Sequence, residues 1–285
     1  MKSLRDWLTW AEEKGVAIGH FNISDSEGLK AVVESATELE VPVIIGVSEG
    51  ERSFLGVAEI RALVSVEQSK GLPVFLNADH TYSIPAAMEA IDQKFDALII
   101  DGAEKPFFDN VSMTQEVVTY ARERHPSILV EGELGFIGQG STLHDEIPEG
   151  VSEETQTTPE DAVEFIKATG VDLLAPSVGN IHGLIRTGEP KLNIERIGKI
   201  REVVSVPLVL HGASGNTDEE VSQAIRAGIR IVHINTELRL AYKEGIRRGV
   251  VSSDELAPYK FMAEGVEEMK KLVTQKLKVF NGLPY

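Results

Sequence analysis

Apolar, β-rich runs recur along the chain every few tens of residues, each bounded by turn or helix signals. Eight of them are predicted strands, at 16–23, 41–48, 73–79, 97–102, 128–135, 171–179, 206–213 and 230–236. The stretches between carry apolar residues at helical spacing with charge on the other face, as at 27–40, 59–70, 114–124, 159–169, 194–204 and 218–227. Strand and helix in strict alternation imply a parallel sheet. Eight such units in roughly 250 residues, with no strand polar enough for an edge, predict a closed (β/α)8 TIM barrel of the α/β class. No linker interrupts the rhythm, so 1–285 reads as one domain. Leu4, Trp7, Leu8 and Ala11 share one face of a helix ahead of the barrel, and Leu256, Tyr259, Met262, Val266, Met269, Val273 and Leu277 mark an extra helix over about 254–279. The Gly-rich, acidic stretch 136–158 follows strand five and is long enough to be a lid.

Composition narrows the function. Lys and Arg number 28 against 45 Asp and Glu, a formal charge of -17, which repels nucleic acid and anionic membranes. There is no cysteine, so disulfides, thiolate nucleophiles and Cys-bound zinc are excluded, and a tight metal site would need His, Asp and Glu. No apolar stretch approaches a membrane span, and charged residues interrupt any N-terminal signal. The expectation is a soluble, cytoplasmic protein with a small-molecule partner.

Active sites of such barrels lie at the C-terminal ends of the strands. Polar residues gather there: His20 and Asn22, Ser48, Asp79 and His80, Asp101, Glu131 and Glu133, Asn180 and His182, His211, then His233, Asn235 and Thr236. His80, His182 and His211 fall at or just after strands three, six and seven, where closure of the barrel would bring them together. Three neutral imidazoles leave a Zn2+ ion open positions for water or substrate oxygens. Asp79 precedes His80, so it reads either as a general base beside the metal or as a carboxylate that orients a histidine. His125 lies at the opposite end of the barrel and reads as a surface residue.

The loop after strand seven, HGASGNTDEE, combines small residues with a capping box at Thr217 to Glu220, and strand eight adds Asn235, Thr236 and Glu237 at the next helix start. Amides at helix starts bind phosphate, and these two loops are the usual phosphate site of a barrel. In so acidic a chain, the metal, the helix amides and Arg186 would supply the positive potential. Strands six to eight contain no lysine, and Lys105 alone approaches the rim, which disfavours a Schiff base. What remains is proton abstraction beside a metal-bound carbonyl.

In HFN (20–22), ADH (78–80), IIDGAEKPFFDN (99–110), VEGELGFIG (130–138), TGVDLLAPSVGNIHG (169–183), VPLVLHGASG (206–215) and INTEL (234–238), the chain resembles the class II, metal-dependent ketose-bisphosphate aldolases. The resemblance runs from about Arg5 to Arg248. It implies a zinc or similar divalent ion on His80, His182 and His211, with Asp79 as the base that moves the substrate proton. It also implies dihydroxyacetone phosphate held by Gly183, Gly212, Ala213, Ser214, Asn235 and Thr236, with Na+ or K+ often nearby. Asn22 and Ser48 stand as further substrate contacts, and Asp101, Glu131 and Glu133 as partners of the metal ligands or a second metal site. The activity implied is cleavage of fructose 1,6-bisphosphate to dihydroxyacetone phosphate and glyceraldehyde 3-phosphate, in a homodimer or homotetramer. Tagatose 1,6-bisphosphate is the alternative within the mechanism, and a non-catalytic sugar-phosphate-binding barrel the alternative outside it. A metal-dependent hydrolase commonly shows an HxH pair on strand one, and HFN is not one.

The chain departs from that family in places. QGST (139–142) follows ELGFIG where Gly and paired acids are usual, so the loop acid falls to Asp145, Glu146, Glu149 or none. Arg186 stands where many members carry a phosphate-binding lysine. Ala103 replaces a serine, and Thr81 follows DH where Gly or His is common. His233 replaces an asparagine and shares a face with Asn235, leaving it as a substitute hydrogen-bonding group, an extra acid or a buried structural histidine.

Overall fold

The computed structural model describes residues 2–138, 140–187, 191–252 and 254–284. Eight parallel strands close a barrel: β1 (Ile18–Asn22), β2 (Val43–Val47), β3 (Val74–Thr81), β4 (Ala97–Ile100), β5 (Leu129–Leu134), β6 (Leu173–Pro176), β7 (Leu208–Leu210) and β8 (Ile229–Ile234). Each pairs with its sequence neighbours, and β8 returns to β1 with Ile18 opposite Ile231 and His20 opposite His233. The predicted TIM barrel is therefore present. Strands at 171–179 and 206–213 are shorter than predicted because the apolar pattern continues past the hydrogen-bonded ladder into the turns. The helices Ile84–Asp92 and Thr236–Ser252 complete the pattern, and a helix at Glu49–Leu55 adds a short helical detour after β2.

Strand alternation sorts the interior into layers. Inward residues at the N-terminal end are apolar, among them Ile18, Ile44, Phe75, Leu129, Val209 and Ile231, and Leu4, Leu8 and Ala11 of the first helix plug that end. Two residues further along the same strands come His20, Gly46, Asn77, Glu131, His211 and His233. The polar floor of the barrel mouth is thus the next inward layer above an apolar plug. The outward faces bury a continuous shell of Val, Ile, Leu and Phe beneath the helices.

The extra C-terminal helix, Ala263–Phe280, lies against the helices Ser26–Leu39 and Thr236–Ser252 and covers β1, with Leu277 and Phe280 buried. Gly245 lets it come close: a Cβ there would stand 2.6 Å from the Cα of Gly265. In 136–158, Leu143–His144 pairs in parallel with Leu184–Ile185, so the loops after β5 and β6 are zipped together over the mouth. Gln139 of the QGST motif lies outside the described residues.

Candidate active site

Consecutive strand residues point to opposite faces, yet Asp79 and His80 both reach the mouth. A bulge in β3 accounts for this: Ala78 pairs with Leu98 and Thr81 with Ile100, three steps against two. His80 takes up the extra residue at φ +28°, a strained conformation for a non-glycine residue, here on a metal-ligand candidate. Arg52, buried beneath, holds the distortion by donating to the carbonyls of Val47 and Asp79 and to Thr81 Oγ1.

The three predicted metal histidines come together. Ligand nitrogens of His80, His182 and His211 lie within 4.8 Å of one another. Each ring is oriented by a partner on its other nitrogen. His80 Nδ1 donates to Asp101 Oδ2 at 2.8 Å, His182 Nδ1 to the Gly138 carbonyl at 3.0 Å, and His211 Nε2 to Glu131 Oε1 at 2.6 Å. That leaves His80 Nε2, His182 Nε2 and His211 Nδ1 to face a shared centre, with the first and last 3.0 Å apart. Three oriented imidazoles with hydrogen-bonded outer nitrogens fit a divalent ion of the zinc type. Glu133 approaches His80 Nδ1 at 3.5 Å, so all three carboxylates expected near the ligands are beside them. These residues also form a second potential metal group, His80 with Asp101 and Glu133.

Electrostatics follow from burial against charge. Burial opposes a proton on His80, but Asp79, Asp101 and Glu133 outweigh it and push the imidazole up to about 10. Burial and the neighbouring His80 cation bring His182 down to about 4. Burial and the neighbouring His233 and His80 hold His211 well below the ordinary range. Asp79 is buried, which favours its neutral form, but His80 and His233 win and hold its carboxyl well below the usual carboxylate range. Burial and the charge of Asp79 push Glu131 well above that range, and burial and Asp101 do the same to Glu133.

Asp79 is the hub of the floor. Its Oδ2 accepts from Asn22 Nδ2 at 2.9 Å, and its Oδ1 stands 3.3 Å from His233 Nδ1 and 4.0 Å from His80 Nε2. A cavity of about 240 Å³ opens above it, walled by Asn22, Ser48, Asp79, the three histidines, Gly183, Gly212, Ser214, His233, Asn235 and Thr236. Ala213 is buried behind that wall. Ser214 Oγ accepts from the Asn235 amide at 3.4 Å and so ties the loops after β7 and β8 together.

One expectation is not met by the geometry, and the loop acid, left open among Asp145, Glu146, Glu149 or none, has no candidate on the cavity wall. Arg186 is exposed, off the cavity wall, and paired with Asp145 at 2.9 Å. Its strand segment Leu184–Ile185 is held by the loop ladder, which carries the side chain outward. Asp145, Glu146 and Glu149 are likewise exposed and absent from the wall, because they follow that ladder on its solvent side. The wall instead contains Arg239, its one arginine or lysine among the described residues. Arg239 Nη2 is 2.6 Å from Glu51 Oε1, and Glu51 Oε2 accepts from Asn22 Nδ2 and Ser48 Oγ. The signals lay in the sequence as the capping box Ser48 to Glu51 and the spacing Thr236 to Arg239, one helical turn inside the mouth.

A closed parallel barrel with oriented histidines around a buried aspartate at its C-terminal mouth is the layout of a metal-dependent barrel enzyme. The family model "Fructose-bisphosphate aldolase class-II" matches residues 2–283. A fructose-bisphosphate aldolase of Geobacillus stearothermophilus is 34% identical over 98% of this chain and 96% of its own length, and one of Staphylococcus aureus is 33% identical with the same coverage. Among solved structures, the YdjI aldolase of Escherichia coli K12 superposes with a TM-score of 0.83 at 32% identity, covering 98% of this chain and 96% of that one. The chain belongs to the class II fructose-bisphosphate aldolase family, whose members are metal-dependent lyases.

Proposed function

We propose that this chain catalyses the reversible aldol cleavage of fructose 1,6-bisphosphate to dihydroxyacetone phosphate and glyceraldehyde 3-phosphate. One observation carries the reading: the Asp79 carboxyl lies between Asn22 and His233, 4.0 Å from the inward nitrogen of His80, where His80 and His233 favour its charged form. His80, His182 and His211 would hold the divalent ion, zinc or a close relative, and when bound it would polarise the ketose carbonyl. Asp79 then removes the C3 proton of dihydroxyacetone phosphate in the condensation direction, and Asn22 and His233 hold its carboxylate against the substrate. The amides and hydroxyls around Gly183, Gly212, Ser214, Asn235 and Thr236 bind the ketose phosphate, with a monovalent cation nearby. Arg239, cationic and fixed by Glu51, takes the phosphate at the other end of the sugar.

No helix among the described residues is long and apolar enough to cross a membrane.

Cleavage of fructose 1,6-bisphosphate coupled to triose detection, with and without EDTA, tests the reading. Activity that EDTA abolishes and Zn2+ restores is the expected result. Chelator-resistant cleavage, or no cleavage by metal-loaded protein, would overturn it.

A further inference from the structure

The C-terminal helix carries a buried charge that the chemistry above does not use. Lys276 is buried, with its Nζ 3.1 Å from Glu237 Oε2 and 3.3 Å from Asp218 Oδ1. The two carboxylates sit in the first turns of the helices that follow β7 and β8. Glu237 in turn accepts the Gly215 amide through Oε1 at 2.7 Å, and Gly215 belongs to the loop that includes Gly212 and Ser214. Gln275 donates to Asp218 Oδ2 at 3.0 Å and holds the other carboxylate in place. One ammonium group on an element outside the eight units therefore fastens the starts of two helices to each other and, through Glu237, to the loop between β7 and its helix.

We infer that Lys276 is a positioning residue for the phosphate loops, acting through Glu237 on Gly215. The inference rests on the reading of those loops as the phosphate site. A buried lysine is retained only when paired, and here its two partners are carboxylates beside the place where a dianion binds. Without the ammonium, Asp218 and Glu237 would repel each other and the incoming phosphate, and Glu237 would lose the contact that aims it at Gly215. With it, the net charge of the group falls from -2 to -1 and the loop keeps one conformation before ligand arrives, so less ordering is needed on binding.

The test uses the full-length, metal-loaded protein and inorganic phosphate as the probe, with its dissociation constant measured by competitive inhibition and by calorimetry. Lys276→Met weakens phosphate binding about tenfold and raises KM for fructose 1,6-bisphosphate by a similar factor, the size expected for one lost charge-assisted contact. Its kcat stays within about twofold because Asp79 is untouched. Lys276→Arg, which keeps the charge, recovers most of the affinity. A Lys276→Met protein that melts as a folded chain and binds phosphate as tightly as the unaltered one overturns the inference. Should that variant not fold, Glu237→Ala removes only the Gly215 contact and the Lys276 pairing on that side. Unchanged phosphate affinity there overturns the inference equally. Failure of the unaltered chain to bind phosphate would instead overturn the phosphate-site reading, and this inference with it.

Discussion

The imidazoles of His20 and His233 lie face to face, with ring centroids 3.4 Å apart and planes 5° from parallel. They are register partners on β1 and β8, so the stack forms where the barrel closes. Asn77 Nδ2 stands 3.1 Å from His20 Nε2 and His233 Nδ1 stands 3.3 Å from Asp79 Oδ1, which places the stack beneath the candidate base. Burial drives the pKa of His20 well below its ordinary value and lowers that of His233, which favours the neutral rings that stack without repulsion. Room for the His20 ring comes from β2, where a Cβ on Gly46 would lie 2.0 Å from His20 Cε1. Gly46→Ala is therefore expected to destabilise the protein by about 1–3 kcal/mol through overpacking. Adding His20→Ala should relieve most of that cost. Thermal or denaturant unfolding of both single variants and the double variant checks it: additive losses would mean that the two positions do not compete for one space.

Asp79→Ala is expected to slow proton exchange at C3 of dihydroxyacetone phosphate by about 10²–10⁴-fold, the usual contribution of a positioned base. Metal content should be unchanged, since the three imidazoles keep their own partners at Asp101, Gly138 and Glu131. Exchange followed by NMR in D2O, beside metal analysis of the same sample, measures both. Normal exchange would return Asp79 to the alternative role of orienting a histidine.

Glu131 is buried and bonded to the outer nitrogen of His211 at 2.6 Å. Its replacement by Ala should loosen the bound divalent ion about 10–100-fold, as loss of a group that orients a ligand does. Competition with a chromogenic chelator gives the affinity, and an unchanged value would separate Glu131 from the metal centre.

The barrel was legible because burial on both faces and the strand–helix alternation leave a strong periodic signal, and the site was legible wherever chemistry sits at a strand end. His80, His182 and His211 needed only closure of the barrel to meet. The bulge in β3 was not legible, since the turn of two consecutive residues to one side is a property of backbone register rather than of residue type. Arg186 misled for a related reason: the sequence puts it three residues past Gly183, but the ladder between Leu143–His144 and Leu184–Ile185 turns it toward Asp145. Arg239 escaped notice because it lies one turn into a helix, and only the helix direction after β8 and the bond to Glu51 bring its side chain over the mouth.

Arg239→Met should raise KM for fructose 1,6-bisphosphate about tenfold or more while the rate of C3 proton exchange on dihydroxyacetone phosphate changes little. The contrast follows from assigning Arg239 to the phosphate that only the full ketose and the aldehyde carry. Steady-state kinetics with the two substrates separates the effects. An equal loss on both would place Arg239 at the dihydroxyacetone phosphate end instead.

At the other end of the barrel, Glu12 of the first helix reaches Arg230 at 2.7 Å and Arg201 at 3.0 Å, tying the plug to β8 and to the helix Ile194–Val203. Partial burial raises the pKa of Glu12, but the two guanidinium groups outweigh it and hold the carboxyl below its ordinary 4.5. A carboxyl lowered in the folded state favours folding above the unfolded value, and that contribution disappears as pH falls through the folded one. Glu12→Gln is therefore expected to cost about 0.5–1 kcal/mol at pH 7, a small figure because the side chain is partly exposed and screened by solvent. The difference between the two proteins should shrink as the pH is lowered below 4.5. Urea unfolding of both at several pH values measures it, and a gap that stays constant into the acid range would mean that Glu12 contributes through packing and not through its charge.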